Sequence, residues 1–416
     1  MNIIRLEKTL HDINRYGQSN EGITRLAYTK DDREAADYFY KLCEEAGMKV
    51  RVDACGNVIA RREGNNPDLP VVACGSHLDT VMHGGQYDGT LGVIAGLEVV
   101  RSLNDQEIET DHPIEVIAFA CEESARFGIS TFGSKAMAGL LEKDSVAALR
   151  DGNGQTIHDA FSECNLDFDT FEDSSRQMEQ FKVFLELHIE QGPVLEREGI
   201  QIGLVTGIAA PTRFEVTIQG QASHSGTTPM HYRKDAFLGA AEIALEIEKA
   251  AKSENVNGTV ATVGVCEVKP GAMNVVPDFV EMKIDIRGIS VQSKNRVIAS
   301  LHDAMKQIRE KRSLEIASKI IGDESPIELD SEVVQSLAKC CDDQGLSHMQ
   351  MPSGAGHDSM NMARLCPTGM IFVPSKDGLS HHCNEYTAIE QIGAGASLLE
   401  AEIIKWACSS KIKSKM

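Results

Sequence analysis

The sequence predicts an α/β protein with a smaller α+β domain inserted into it. Two near-continuous apolar runs, 69–74 and 114–120, alternate with helical patterns, as is typical of parallel strands buried on both faces. Further along, the strand patterns alternate apolar and polar residues, which indicates a sheet with one exposed face. After Pro326 the mixed α/β character returns. We therefore expect a main domain made of residues 1–210 and 327–416, and an inserted domain at residues 211–326.

The first half of the chain supplies the helix and strand patterns of the main domain. A helix is expected after Asp31-Asp32, at 33–46, where Gly47 stops it. Strands and helices then alternate, which indicates a layered structure with helices packed on a sheet. The further elements expected here are strands 48–53 and 57–62, strand 69–74, helix 93–103, strand 114–120 and strand 181–188.

The inserted domain has the order βαββαβ with one-sided strands, which describes a small sandwich of the ferredoxin-like type. Its expected elements are strand 213–219, helix 235–252, strands 259–268 and 279–286, helix 293–311 and strand 313–321. The main domain then resumes with helix 331–344, strand 369–373 and a last helix from Ala388.

Composition and charge exclude several classes of function. The chain has 416 residues, of which 42% are hydrophobic and 25% charged, as in ordinary folded globular proteins. Its net charge of −21 argues against nucleic-acid or anionic-membrane binding, because both need basic surfaces. No apolar run is long enough to span a bilayer. An anionic small molecule held by one or two local arginines stays compatible with this composition.

The cysteines indicate a reducing compartment. Eleven cysteines are irregularly spaced and no C-x-x-C pair occurs, so a structural zinc knuckle is not expected. The first residues, MNIIRLEKTL, are too charged for a signal peptide. We therefore expect reduced thiols in a cytoplasmic enzyme. The last three residues, 414–416, resemble a peroxisomal tail only loosely and are interpreted as a basic chain end.

A glycine-rich loop between a strand and a helix, Gly75 to Gly92, carries histidine and aspartate. His77 and Asp79 stand two apart, so on an extended backbone they point the same way. That arrangement suits a histidine ligating a metal while a carboxylate takes its other ring N–H. Asp88 follows between Tyr87 and a glycine. Taken alone, the loop fits a polar surface loop equally well.

Polar residues at the ends of three buried strands decide between these readings. A lone histidine at such a place is usually a structural group, but three sites at one sheet edge reverse that weighting. Imidazole and carboxylate without thiolate suit Zn, Mn, Co or Ni, and two-metal hydrolases hold their ions about 3.5–4 Å apart. The residues concerned are His77, Asp79, Asp88, Glu122, Glu123, His188, His357, Asp358, His381 and His382.

The motifs that contain these residues resemble the M20 metallopeptidase-type family. Within it they are similar to the carbamoyl amidohydrolases, namely N-carbamoyl-L-amino-acid hydrolase and allantoate amidohydrolase. The resemblance runs from about Gly22 to the C-terminus and implies a bimetal aminopeptidase-like catalytic domain interrupted by a dimerisation (lid) domain, hence a homodimer. The motifs are SHLDT, GGQYDG, FACEESARF, LELHIEQG, ASHSGTTPM, NVVP, SGAGHD and DGLSHHCNEY.

The resemblance assigns roles around two divalent metal ions per subunit. It implies that Glu122 is the general base and that Asp79 orients His77. His381 is preferred to His382 because the family's pattern is Gly-x-Ser-His followed by a glutamate four residues later, which is Glu385 in this chain. His382 and Cys383 depart from the small residue and proline that relatives usually carry, so the choice of histidine stays open. The implied ligands are His77 and His188 for one ion, Glu123 and His381 for the other, and Asp88 as the bridge.

The inserted domain and the loops carry the residues implied for substrate binding. The resemblance makes His224 an oxyanion-stabilising residue that reaches the partner subunit's site, although from sequence alone a polar hairpin residue is favoured. Asn274 and Arg287 resemble binders of a substrate carboxylate, which a planar guanidinium holds bidentately. An arginine at a strand end is otherwise most often a surface charge. The weaker assignments are Gln191, Arg213 and Gly356 as substrate contacts and His357 as a support of the site.

The resemblance implies hydrolysis of the carbamoyl C–N bond of an N-carbamoyl-L-amino acid to amino acid, ammonia and CO₂. Allantoate amidohydrolase is the close alternative: QYDGTLGV favours the first activity, while SGAGHD and GTTPM are compatible with the second. An M20 peptidase is a third enzymatic option. A non-catalytic binding protein on the same scaffold is the option from another class, but such proteins usually lose ligands or the base, and here none is missing.

Overall fold

A computed structural model describes residues 1–408 of the chain. The interpreted basic end at 414–416 lies outside the described residues. Within residues 1–408, none of the helices is both long enough and apolar enough to cross a lipid bilayer. The described chain forms two compact units, here called the larger and the smaller unit. The larger unit comprises 1–206, 329–351 and the chain from 356 onward, and the smaller unit comprises 207–328 with 352–355.

The chain from the N-terminus to residue 208 alternates strands and helices, as expected from its sequence. The helices here are α1 (Ile3–Ile13), α2 (Lys30–Glu45), α3 (Thr90–Asp105), α4 (Phe132–Met137), α5 (Lys143–Val146), α6 (Ile157–Glu163) and α7 (Val194–Glu198). The strands are β1 (Gln18–Ser19), β2 (Gly22–Ile23), β3 (Lys49–Val52), β4 (Val58–Arg62), β5 (Val71–His77), β6 (Ile114–Phe119), β7 (Phe181–Ile189) and β8 (Ile202–Ile208).

The smaller unit has the ferredoxin-like order that the sequence predicts. Its four-stranded antiparallel sheet has the strand order β11–β13–β9–β14, and apolar residues of the sheet form a core with α8 and α9. The elements are β9 (Ala210–Gln219), β10 (Ser223–His224), α8 (Ala236–Glu254), β11 (Val260–Lys269), β12 (Val275–Val276), β13 (Phe279–Gly288), α9 (Val291–Arg312), β14 (Glu315–Asp323) and β15 (Ile327–Glu328).

The last part of the chain returns to the larger unit. Its elements are α10 (Ser331–Gln344), β16 (His348–Ser353), α11 (Ser359–Met362), β17 (Thr368–Val373) and α12 (Ile389–Ala407). The sheet of this unit has the order β8–β17–β7–β5–β6–β4–β3, with β16 beside β8. The strands β17, β7, β5 and β6 run parallel, so their carboxyl ends meet at one edge, where open α/β sheets place their ligands.

Strand β5 and helix α3 have bounds that differ from the sequence prediction, and both differences concern the site. Strand β5 runs on to His77, because Gly75, Ser76 and His77 continue the ladder with β6. Helix α3 begins at Thr90 instead of residue 93, since Gly89 turns the chain with φ +64° directly before it. His77 is therefore held in a strand, and Asp88 stands just ahead of a helix that is buried almost all round.

Candidate metal centre

Two groups of possible metal ligands share the carboxylate of Asp88. In the first, the Nε2 atoms of His77 and His188 lie 3.4 and 3.2 Å from Asp88 Oδ1. In the second, His381 Nε2 lies 3.6 Å from Asp88 Oδ2 and 3.3 Å from Glu123 Oε1. The two oxygens of one carboxylate thus face two separate groups of nitrogen and oxygen donors, as a carboxylate between two ions would.

The protonation of the buried histidines fits a metal. His77 Nδ1 lies 2.8 Å from the carbonyl oxygen of Asp79, and His188 Nδ1 lies 2.8 Å from that of Ile189. A carbonyl oxygen only accepts, so in each ring Nδ1 carries a proton and Nε2 is the nitrogen that faces Asp88. The N–H of Gly89 donates to His188 Nε2 at 3.1 Å, which agrees with this tautomer. Neutral imidazole with Nδ1–H held by a carbonyl is the usual metal-binding form.

Asp79 holds two parts of the site at once. Its backbone carbonyl, and not its carboxylate, orients His77, because the carboxylate lies 3.8 Å from His77 Nδ1. The carboxylate instead accepts the N–H groups of Glu122 and Glu123 at 3.1 and 3.0 Å. Asp79 therefore fixes the turn that presents both glutamates, and Cys121 enters that turn with a left-handed φ of +53°.

The two glutamates face different partners. Glu122 Oε2 lies 3.7 Å from His77 Nε2, whereas Glu123 faces His381. Burial raises the pKa of Glu122 well above its usual range, an effect that His77 opposes and Glu123 reinforces. The hydrogen bond to Glu123 raises the pKa of His381 to about 9, against the effect of burial. Glu122 is thus a buried carboxylate beside the ligands, in a place that suits a proton acceptor.

The Asp88 carboxylate is anchored by residues far along the chain. Asp88 Oδ2 accepts hydrogen bonds from Gln191 Nε2 and Ser380 Oγ, both at 2.6 Å. Glu385 Oε1 accepts the N–H groups of Tyr87 and Asp88 at 2.8 and 3.1 Å, and burial raises the pKa of Glu385 to about 7. Sequence reasoning gave no role to Ser380 or Glu385. The only signal was their place in the motif around His381.

Backbone strain marks the loops that carry these contacts. Gln191 and His381 have left-handed φ values of +58° and +54°, which non-glycine residues adopt at a cost and which cluster at functional sites. The His381 side chain is half exposed, whereas His77 and His188 are buried. His382 is exposed, and its Nδ1 accepts the N–H of Asn384. Of the two adjacent histidines, His381 is the one that faces Glu123 and Asp88.

The segment before α11 packs against the His188 ring through His357. The His357 ring centroid is 4.6 Å from that of His188, and burial lowers the pKa of His357 well below its usual range. Asp358 is fully buried, and burial raises its pKa to about 8. Gly356 precedes this pair, with Met360 Sδ the nearest atom to where a Cβ would stand, at 3.7 Å. His357 is thereby placed to support a ligand.

The smaller unit brings His224 and Asn274 together. Strand β10 pairs with β12, so His224 is opposite Val275, and the N–H of Ser225 donates to the carbonyl of Asn274 at 3.0 Å. The N–H of Gly226 donates to His224 Nδ1 at 3.0 Å. The acceptor role of Nδ1 leaves the proton of a neutral ring on Nε2, where the exposed imidazole can donate to an anion.

Two arginines of the same unit share one carboxylate. Arg287 donates from Nε and Nη2 to Asp285 at 2.7 and 3.2 Å, and Arg213 donates from Nε to Asp285 at 2.9 Å. Asp285 and Arg213 face each other across the β13–β9 ladder. Two guanidinium groups against one carboxylate leave a net positive charge, which suits a carboxylate-bearing ligand.

Curated relatives resemble this chain along nearly its whole length. An N-carbamoyl-L-amino acid amidohydrolase of Geobacillus stearothermophilus is 40% identical over 95% of this chain and 96% of its own. A ureidoglycolate hydrolase of Arabidopsis thaliana is 39% identical over 92% of this chain and 82% of its own. An allantoate amidohydrolase of Escherichia coli K12 is 35% identical over 95% of each chain.

A solved structure and a family model agree with these relatives. The crystal structure of an amidase of the hydantoinase/carbamoylase family from Burkholderia multivorans is 35% identical, covers 98% of both chains and superposes with a TM-score of 0.92. The model of peptidase family M20/M25/M40 matches residues 73–405, which include all the candidate ligands. The chain therefore belongs to peptidase family M20/M25/M40, and within it to the amidohydrolases.

Proposed function

We propose that this enzyme hydrolyses the carbamoyl C–N bond of N-carbamoyl-L-amino acids, with water as co-substrate and amino acid, ammonia and CO₂ as products. The observation that carries the proposal is the carboxylate of Asp88 shared by two donor groups, with the buried Glu122 beside one of them. Bimetal centres of this form act on amides and ureides. The name of the Geobacillus relative, at 40% identity, supports the carbamoyl amino acid as substrate.

The donor sets fit two divalent ions per subunit, with Zn²⁺, Mn²⁺, Co²⁺ or Ni²⁺ as the candidates, since all ligands are imidazole or carboxylate. His77 and His188 would hold one ion, Glu123 and His381 the other, and Asp88 both. Bound ions would supply a water that is nucleophilic at neutral pH and would polarise the substrate carbonyl. Metal analysis of the loaded protein tests this, because one ion per subunit with Asp88 uncoordinated would contradict the scheme.

Glu122 then does the proton chemistry of this chain. Its carboxylate stands next to the ligands without belonging to either donor group, so it is free to take a proton from the attacking water. The same carboxyl can pass that proton to the nitrogen that leaves when the C–N bond breaks. The hydrogen bonds from the Glu122 and Glu123 N–H groups to Asp79 hold this carboxylate in place.

The smaller unit would recognise the rest of the substrate. We propose that the exposed Nε2–H of His224 stabilises the oxyanion that develops on the carbonyl, and that Asn274 and Arg287 hold the substrate carboxylate, assisted by Arg213. We further propose that the unit is a dimerisation and lid domain in a two-fold homodimer. None of these four residues belongs to the metal-binding unit, yet the chemistry needs an oxyanion donor and an anion anchor.

Allantoate is the second candidate substrate. The E. coli relative carries that name, and allantoate also presents a carboxylate and ureido groups to the same kinds of donors. A ureidoglycolate hydrolase is similarly close in sequence. All three compounds carry a carboxylate and a ureido group, so the choice among them is made by substrate assays.

Substrate profiling of the metal-loaded enzyme tests the proposal. Purified protein is assayed for ammonia release from N-carbamoyl-L-amino acids, their D-enantiomers, allantoate and ureidoglycolate, and for cleavage of dipeptides. We expect the highest kcat/KM on N-carbamoyl-L-amino acids, with Glu122→Gln as the inactive control. A higher kcat/KM on allantoate would replace the proposed substrate, and turnover of dipeptides alone would contradict the proposed reaction.

A further inference from the structure

An arginine that none of the motifs contains lies beneath the metal ligands. Arg25 is fully buried, yet it forms no ion pair with any acidic residue of the described chain 1–408. Four donor contacts satisfy it: Nε donates to the Leu78 carbonyl at 2.6 Å and Nη2 to Thr90 Oγ1 at 3.0 Å, while Nη1 donates to the carbonyls of Ile13 and Tyr16 at 3.2 and 3.0 Å. All its direct hydrogen-bond partners are neutral oxygens, although burying a charge is costly and the carboxylates of Asp32 and Asp79 favour its charged form only from a distance.

The C-terminus of α1 stabilises part of the buried guanidinium charge. Ile13 is the last residue of α1, and carbonyl groups at a helix C-terminus carry partial negative charge that favours a cation. Burial lowers the pKa of Arg25 to about 10, so the group stays charged at neutral pH. The two contacts of Nη1 go to the end of α1 and to the turn that follows it, and the contacts of Nε and Nη2 go elsewhere.

Those two donors join both ends of the metal loop, defined here as residues 77–90. Leu78 lies between His77 and Asp79, and Thr90 begins α3 directly after Asp88 and Gly89. The main chain of Arg25 adds to this, since its N–H donates to Thr80 Oγ1 and its carbonyl accepts the N–H of Thr80. One guanidinium thus ties the exit of β5 to the entry of α3.

We propose that Arg25 is a positioning residue that sets the spacing between His77 and Asp88 before any metal binds. The inference rests on the proposed metal centre. Without the guanidinium, the Leu78 carbonyl and the Thr90 hydroxyl lose their common partner, and the two ends of the metal loop can move independently. Metal binding would then have to order the loop, which weakens the apparent affinity.

The test measures metal affinity of the apoprotein and needs no substrate. Zn²⁺ is titrated into metal-free wild type and variants in competition with a chromogenic chelator, and circular dichroism confirms that each variant is folded. For Arg25→Met we expect a dissociation constant about 10–100-fold higher, the range typical when a partner of the ligands is removed. Arg25→Lys, which cannot reach all four acceptors, should fall between wild type and Arg25→Met.

Arg62 provides a matched control. It is a half-buried arginine that also bonds neutral oxygens, those of Ile108, Asn104 and Thr110, at 2.7, 3.0 and 3.3 Å. It lies at the opposite sheet edge, where β4 pairs with the first residue of β6. Arg62→Met should lower stability and leave Zn²⁺ affinity within about twofold of wild type.

Thr90→Val keeps the test decisive if Arg25→Met does not fold. This near-isosteric change removes the hydroxyl that accepts the hydrogen bond of Arg25 Nη2. We therefore expect weaker Zn²⁺ binding and faster amide hydrogen exchange within residues 77–90. Unchanged affinity in a folded Arg25→Met or Thr90→Val protein, or an equal loss in Arg62→Met, would overturn the positioning role. Wild type that binds no Zn²⁺ or Mn²⁺ would instead refute the metal centre itself, and this inference with it.

Discussion

Replacing Gly89 by alanine should disable the metal centre while leaving the protein folded. A Cβ at this position would lie 2.3 Å from His77 Nε2 and 2.4 Å from two carbons of the ring. An unstrained contact between such atoms is about 3.5 Å, so the imidazole or the helix start must move by about 1 Å. Metal–ligand distances tolerate only about 0.2 Å, so a shift of this size would remove His77 from the proposed coordination sphere.

The expected magnitude follows from these distances and from the backbone. We expect at least a 10²-fold loss of kcat/KM, the scale of a 1 Å misplacement at a reacting centre, together with weaker binding of Zn²⁺. The φ of +64° at Gly89 adds strain, which should lower the free energy of unfolding by about 1–3 kcal/mol. Steady-state kinetics, metal titration of the apoprotein and urea denaturation measure the three quantities.

Gly199→Ala separates the clash from the strain. Gly199 has a φ of +67°, and no atom lies within 4 Å of the place its Cβ would take. We expect this control to lose about 1 kcal/mol of stability, with metal binding and turnover unchanged. Gly89→Ala with wild-type affinity for Zn²⁺ and wild-type kcat/KM would refute the reasoning, since the helix start would then have moved without disturbing His77.

Three further predictions address the base, the partner subunit and the smaller unit. Glu122→Gln should reduce kcat by about 10²–10⁴-fold or more at normal metal content, because the amide cannot accept a proton; activity in a metal-replete mutant would mean another base. Glu122→Gln and His224→Ala proteins, each inactive alone, should regain activity after subunit exchange, and failure despite confirmed exchange would place His224 in its own chain's site or outside catalysis. Hydrogen bonds with Arg296 and Ser293 lower the pKa of Glu254 to about 2, so this carboxylate stabilises the fold when it is ionised. Glu254→Gln should therefore melt at a lower temperature than wild type at pH 7, and the difference should shrink as the pH falls from 4.5 toward 2. A deficit that is constant between pH 6 and pH 3.5 would contradict this last assignment.

The element pattern was largely readable from the sequence, because hydrophobic periodicity is a local property of the chain. The four parallel strands at the site appear within three residues of the expected bounds, and the βαββαβ order of the smaller unit is present. The differences at the end of β5 and at the start of α3 depend on nonlocal contacts. The ladder with β6 extends β5 to His77, and the close approach of the His77 ring requires the glycine that starts α3 early.

The sequence by itself determined which residues stand at the ends of buried strands, and so the set of imidazoles and carboxylates available for a metal centre. Only the tertiary structure decided how they divide: that Asp88 faces both groups, that His381 rather than His382 approaches Glu123, and that a carbonyl of Asp79 orients His77. The structure alone also placed Arg25 against Thr90 and Glu385 against Asp88. These pairs are 65 and 297 residues apart along the chain. Such contacts arise when the sheet assembles and distant loops meet at its edge, and a local sequence pattern does not show which partners will meet.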